Sequence, residues 1–211
     1  MLKKGKFITF EGSEGCGKST QSLLLKAFLE SFGFTVIHLR EPGGTEISEE
    51  IRQILLDAKN KSMVSECEML LYMAARAQVV SEIIEPGLAS GAIVISDRFL
   101  DSTLAYQGYG LGMDKKLIRN LGSFVSRRVK PDLTILLDLP IKKGLRYRAA
   151  AKDRIEQRPL AYHNRVRKGY FELARLERER IKIVKVARDK SATQNKIREH
   201  ICACLGMVKG R

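Results

Sequence analysis

At 211 residues and 44% apolar content, the chain is long enough for one α/β domain with a sizeable core and too short for two ordinary ones. No apolar run reaches the roughly 18 residues that cross a bilayer, and the basic start Met1-Leu2-Lys3-Lys4-Gly5-Lys6 leads into a strand-like run, not a signal segment, so a soluble, cytoplasmic protein is expected. The net charge of +14 is concentrated between Lys142 and Lys190, where 17 Lys/Arg face 6 Asp/Glu, which calls for anionic partners or an unevenly solvated surface.

The first expected strand, Phe7 to Phe10, runs into Glu11-Gly12-Ser13-Glu14-Gly15-Cys16-Gly17-Lys18-Ser19-Thr20. That run satisfies G-x-x-x-x-G-K-S/T between a strand and a helix, the context in which the motif cradles phosphates. Its glycines permit a tight loop with inward N–H groups, Lys18 reaches the β- and γ-phosphates, and the Ser19 hydroxyl suits Mg²⁺. The periodic segment from Lys18 to about Phe32 is the helix whose positive end faces the same anion. The nucleotide-binding set is thus expected to be Gly12, Ser13, Glu14, Gly15, Cys16, Gly17, Lys18, Ser19 and Thr20, joined by Arg188 beyond the last strand.

Further strand-length apolar runs follow at Phe34 to Leu39, Ala92 to Ser96, Leu133 to Leu137 and Ile181 to Val186, each succeeded by a helical pattern. This alternation predicts a three-layer α/β/α architecture around a five-stranded parallel sheet of the P-loop NTPase type, in a single domain spanning 1–211. Ligands of such sheets bind past the carboxyl ends of the strands. There the chain places Glu11-Gly12, Arg40-Glu41-Pro42-Gly43-Gly44-Thr45, Asp97-Arg98-Phe99, Asp138 and Ala187-Arg188. Asp97 and Glu41 are candidates to organise a metal with Ser19, and Arg98 to grip a second phosphate bidentately. The charged stretch from Ala149 to Pro159 interrupts the fourth strand-helix unit and reads as a mobile flap, with a lid expected at about residues 148–159.

Cys16, Cys67, Cys202 and Cys204 form no C-x-x-C pair, and neither a zinc site nor a disulfide framework is indicated. Cys16, at a helix N-terminus beside Lys18, is either a thiol of lowered pKa or a small filler in a tight loop. His38, His163 and His200 stand beside no nucleophile motif and are expected to be structural or superficial.

Taken together, Phe10 to Thr20, the Arg40 to Thr45 run, Leu71-Tyr72-Met73-Ala74-Ala75-Arg76, Asp97 to Gly108, Pro131-Asp132-Leu133-Thr134 and Asp153-Arg154-Ile155-Glu156 resemble bacterial thymidylate kinases over nearly the whole chain. The resemblance implies phosphorylation of dTMP to dTDP with ATP and Mg²⁺. It places Glu14 against the deoxyribose 3′-OH, Tyr72 on the thymine ring, Arg76 on a base carbonyl, and Thr103 and Gln107 in the base pocket. It places Tyr106 against the 2′ position, Arg98 and Arg52 at the monophosphate, Glu41 at the metal or its waters, and Pro42 after a cis peptide. With Cys16 where some relatives carry a loop arginine, the cation for the transferring phosphate is expected from the lid: Arg148 and Arg154, with Lys152 and Arg158 in reserve. The catalytic set expected is therefore Lys18, Arg98, Arg148 and Arg154, and the metal set Ser19, Glu41 and Asp97. The run Arg158-Pro159-Leu160-Ala161-Tyr162 departs from the family's usual acidic or small residue and aromatics.

The resemblance also implies a homodimer, for which Met63 to Ala77 and Phe99 to Tyr109 could supply an apolar face; core packing explains the same residues equally well. A GTP-hydrolysing switch is disfavoured, because Asn195-Lys196-Ile197-Arg198 lacks the aspartate of a guanine-reading motif. A kinase for dUMP, UMP or CMP would use the same phosphate loop, since base choice rests on a few pocket residues. A regulator that binds nucleic acid through a vestigial loop would account for the positive charge. Nucleic acid is nevertheless not expected as a partner, since an intact Lys18-Ser19 with Asp97-Arg98 exceeds what binding requires.

Overall fold

The computed structural model describes residues 4–147 and 153–207. Its centre is a parallel sheet of β1 (Lys6–Glu11), β2 (Val36–Arg40), β3 (Ile93–Asp97), β4 (Leu133–Asp138) and β5 (Ile181–Lys185), in the order β2-β3-β1-β4-β5. The expected strands are all present, with ends displaced by at most two residues. Around them lie α1 (Lys18–Ser31), α2 (Glu46–Leu56), α3 (Ser65–Val79), α4 (Glu85–Ala89), α5 (Leu100–Thr103), α6 (Lys115–Val125), α7 (Ile141–Arg146), α8 (Leu160–Leu176) and α9 (Lys190–Leu205). A π-helical turn at Val80–Ile84 joins α3 to α4, and another at Leu104–Gly110 extends α5.

A parallel sheet covered on both faces needs near-continuous apolar strands, and β3 is buried at every residue. Alternation sorts those residues between two layers. Ile8, Phe10, Ile93, Ile95, Ile135 and Leu137 pack against Leu25 and Leu29 of α1 and Ile197 and Ile201 of α9. On the other face, Leu136 and Ile181 join Met69 and Met73 of α3, Ile118 of α6 and Val166, Tyr170 and Leu173 of α8. Phe7, Leu39 and Val94 close the same face against Val79, Ile84 and Phe99, with Phe7 and Phe99 edge to face at 4.9 Å between centroids.

Three of the six described helices longer than ten residues start where a side chain satisfies an otherwise unpaired N–H. Thr45 accepts from Ser48 N, Asp114 from Lys116 N, and Asp189 from Ser191 N and Ala192 N. α1 differs: its cap is Gly17 at φ 90, without a side-chain hydrogen bond, so its first N–H groups open into the loop before it. Strand register then gathers charge at one edge, because Phe10 and Arg40 both pair with Asp97 while Glu11 pairs with Leu136.

Candidate active site

Between β1 and α1, Gly12 and Gly15 adopt φ 139 and φ 68, values that L side chains avoid. A methyl group on Gly15 would also overlap the carbonyl of Gly144 in α7. Lys18 is buried, and its Nζ donates to the carbonyls of Gly12 at 3.1 Å and Ser13 at 3.0 Å. The lysine is thereby held within the bowl that the loop forms. Cys16 lies in the same loop at 1% exposure, where burial outweighs Lys18 and pushes its thiol pKa up. The lowered pKa weighed for this thiol is corrected: Cys16 packs in the cluster of Phe10, Leu137 and Leu139 as a small apolar filler.

Ser19 Oγ donates to Asp97 Oδ2 at 2.5 Å, tying α1 to the end of β3. The next residue, Arg98, sits at φ 77 with its N–H donating to Phe10 O at 2.9 Å. A non-glycine residue in that region is strained by about 1–3 kcal/mol and is held there by its surroundings. Its Nη1 donates to Gly12 O at 3.2 Å, Ser102 Oγ at 3.1 Å and Tyr170 OH at 3.2 Å. Its Nη2 donates to Glu14 Oε1 at 2.8 Å and Tyr106 OH at 3.1 Å, and that tyrosine in turn donates to Glu14 Oε1 at 2.7 Å. The guanidinium also lies 4.9 Å from the centre of the Tyr106 ring.

Across the cavity the Glu41-Pro42 peptide is cis. Glu41 Oε2 accepts from Arg76 Nε at 2.8 Å, and Arg76 Nη1 donates to Thr103 Oγ1 at 3.0 Å. Burial raises the Glu41 carboxyl pKa against the pull of Arg76. Arg52 Nη1 donates to Pro42 O at 2.8 Å, and Gln107 Nε2 donates to Glu68 Oε1 at 2.8 Å. Glu14, Lys18, Ser19, Glu41, Arg52, Tyr72, Arg76, Asp97, Arg98, Thr103, Tyr106 and Gln107 all line one cavity of about 390 Å³, the size of a small-ligand site.

Ser19, Asp97 and Glu41 are hard oxygen donors of the type that magnesium takes. Glu41 N donates to Asp97 O at 2.9 Å, so the two carboxylates leave adjacent strand ends. Glu41 Oε1 is buried without a hydrogen-bond partner, an acceptor to which a hydrated cation would be suited. The donor set fits the ion.

The family model described as thymidylate kinase matches residues 10–197. The chain belongs to the thymidylate kinase family. It is 49% identical to the thymidylate kinase of Geobacter sulfurreducens over 189 residues, covering 85% of this chain and 88% of the relative. It is 50% identical to that of Geotalea daltonii over 190 residues, with the same coverage. Among solved structures, the thymidylate kinase of Ehrlichia chaffeensis superposes with a TM-score of 0.77 at 34% identity, covering 93% of this chain and 98% of the other.

Within this member of the thymidylate kinase family, the expected lid residues are distributed unevenly. Arg148 and Lys152 lie outside the described residues. Arg154 is not turned to the cavity: its Nη1 meets Glu68 Oε2 at 2.6 Å and its Nε donates to Leu55 O at 3.0 Å. Arg158 shares that carboxylate oxygen at 2.6 Å. Asp153 and Ile155 line the cavity instead. Arg188 is exposed beyond β5 and is absent from the cavity lining. Sequence reasoning missed Glu68, on a helix that also carries Glu66 and Arg76, and gave no role to Glu11, which it placed at the end of the first strand. It also missed Ser102 and Tyr170, for which no local pattern existed.

Proposed function

We propose that this chain transfers the γ-phosphoryl group of ATP to dTMP, giving dTDP and ADP, in a soluble cytoplasmic setting. The observation that carries the reading is one cavity holding two phosphate-gripping elements: the loop with Lys18 on one side and Arg98, braced by Glu14 and Tyr106, on the other. A single nucleotide site would need only the first. Among the described residues no helix is long and apolar enough to cross a membrane.

In this reading Gly12 to Thr20 bind the ATP phosphates, with Arg188 on the nucleotide's far side. Arg98 and Arg52 hold the acceptor phosphate, Glu14 takes the sugar 3′-OH, and Tyr106 crowds the 2′ position. Tyr72 stacks on thymine, Arg76 donates to a base carbonyl, and Thr103 and Gln107 complete the pocket. Ser19, Asp97 and Glu41 would hold Mg²⁺, which when bound offsets charge on the phosphates. No general base is required, since a phosphate monoester's second pKa of about 6 leaves the attacking oxygen ionised at neutral pH. The protein's task is positioning and neutralisation of charge by Lys18, Arg98 and the lid, residues 148–159, in one domain. Arg148 supplies a lid cation, and Arg154 joins it by exchanging Glu68 for the transferring phosphate.

A homodimer forms in this reading through the face carrying Leu70, Leu117 and Phe124, which are exposed on α3 and α6. Phe99 to Tyr109 is excluded from that face because Phe99, Leu104, Ala105 and Tyr106 are core. The reading is tested by following ADP formation with dTMP, dUMP, UMP, CMP, AMP and GMP offered singly. Highest turnover with dTMP supports it; highest turnover with another monophosphate overturns the base-pocket roles of Tyr72, Arg76, Thr103 and Gln107.

A further inference from the structure

We infer that Glu11 is a positioning residue for Arg98: its carboxylate accepts hydrogen bonds from the hydroxyls of Ser102 and Tyr170 and so turns the lone pairs of both oxygens toward the guanidinium. The inference rests on the proposed role of Arg98 in holding the acceptor phosphate.

Glu11 is fully buried at the end of β1, where a carboxylate is costly unless its oxygens are hydrogen-bonded. Here both are. Oε1 accepts from Phe99 N at 2.8 Å and Ser102 N at 3.2 Å, while Oε2 accepts from Ser102 Oγ at 2.6 Å and Tyr170 OH at 2.8 Å. Serine and tyrosine hydroxyls have one proton each. With both protons committed to Glu11, neither is left for the 2.9 Å contact between Ser102 Oγ and Tyr170 OH. Both oxygens then present lone pairs, and both lie within reach of Arg98 Nη1, at 3.1 Å and 3.2 Å. An arginine can only donate, so this polarity is the one that it needs.

The same carboxylate acts on the backbone. Oε1 pins the N–H groups of Phe99 and Ser102, in the turn directly after the strained φ 77 of Arg98. One buried group therefore fixes the main chain beyond Arg98 and the two acceptors beside its head. A protonated carboxyl, or an amide in its place, would donate to one of those hydroxyl oxygens and compete with Arg98.

Glu11 is faced by Asp101 and Arg98 from the chain beyond β3 and by Tyr170 from α8, while Asp101 is held by Arg180 at 2.7 Å. Burial first and Asp101 second raise the Glu11 pKa to about 7, opposed by Arg98, Ser102 and Tyr170. The share of Glu11 in the ionised, organising form falls as pH drops through that value, and affinity for the acceptor falls with it.

The test compares Glu11→Gln, Tyr170→Phe and Arg98→Ala with the unaltered enzyme, taking KM for dTMP and for ATP and the pH profile of kcat/KM for dTMP. Glu11→Gln is expected to raise KM for dTMP about tenfold, with KM for ATP within about twofold. The acid limb near pH 7 should vanish, leaving the limb from the second ionisation of dTMP at about 6. Tyr170→Phe is expected to move the limb to higher pH, because the ionised carboxylate loses a donor. Equal changes in both KM values, or an unchanged limb in Glu11→Gln, would show a merely structural carboxylate. If Glu11→Gln does not fold, the limb in Tyr170→Phe decides, and an unmoved limb overturns the inference. Arg98→Ala separates the two levels: an unchanged KM for dTMP sinks the underlying role of Arg98, whereas a raised KM beside a silent Glu11→Gln sinks only the role of Glu11.

Discussion

Arg76 and Glu41, at 2% and 4% exposure, form a buried ion pair at 2.8 Å in the wall of the cavity. Removing one member of such a pair leaves a desolvated charge, so Arg76→Leu is expected to cost about 3–5 kcal/mol in urea unfolding. Adding Glu41→Leu should recover part of that loss, and full additivity of the two substitutions would contradict the coupling. Lys18→Ala carries a different expectation: turnover lower by a factor of about 10² or more, with the urea midpoint little changed. Lys18, Arg98, Glu14 and Tyr106 were legible because each belongs to a recognisable local run. Glu11 was not, because its meaning depends on Tyr170, which α8 brings to 2.8 Å from a position 159 residues away. Cys16 was left between two readings by its neighbours along the chain, a helix start and a lysine; its neighbours in space, Phe10 and Leu137, decide for the small filler.

Between elements, α7 approaches the phosphate loop backbone to backbone. A methyl group on Gly144 would overlap the carbonyl of Glu14. Helix propensity alone makes Gly144→Ala stabilising by about 1 kcal/mol. The overlap reverses that sign, and the expected result is a lower urea midpoint with a raised KM for ATP; a more stable protein with normal ATP use would contradict it. The strands were legible from their apolar runs because the sheet is covered on both faces. The segment from Phe99 to Tyr109 was ambiguous, since an apolar run reads alike as core or as interface. Packing against α8 decides it: Tyr106 meets the rings of Tyr162 and Tyr170 edge-on, and Tyr109 lies against Gly169. The π-helical turns carried no sequence signal, because a single wider turn leaves the apolar period almost intact.

Over the molecule as a unit, the basic stretch from Lys142 to Lys190 is less free than its composition suggested. Arg167 pairs with Asp138, Arg180 with Asp101, and Arg154 and Arg158 with Glu68, all carboxylates from earlier in the chain. Part of the excess charge is thus paired internally with carboxylates on α3, α5 and the end of β4. Buried carboxylates also set the response to acid. With the Glu11 pKa raised from 4.5 to about 7, the folded state holds a proton between those values that the unfolded chain releases. Its contribution to stability therefore grows as pH falls from above 7 toward 4.5, and Glu41, also raised, acts in the same direction. Urea midpoints at pH 8, 7 and 6 should show a shallower dependence in Glu11→Gln than in the unaltered chain; identical slopes would contradict the assignment. This gain in stability runs opposite to the loss of acceptor affinity in acid, so the two effects are separable in one titration. Whether one cavity passes phosphate from ATP to dTMP is decided by following both nucleotides together by ³¹P NMR. One dTDP is expected for each ADP, with both formed at least about 10²-fold more slowly in Lys18→Ala. ADP accompanied by inorganic phosphate, with no dTDP, would contradict the proposed transfer.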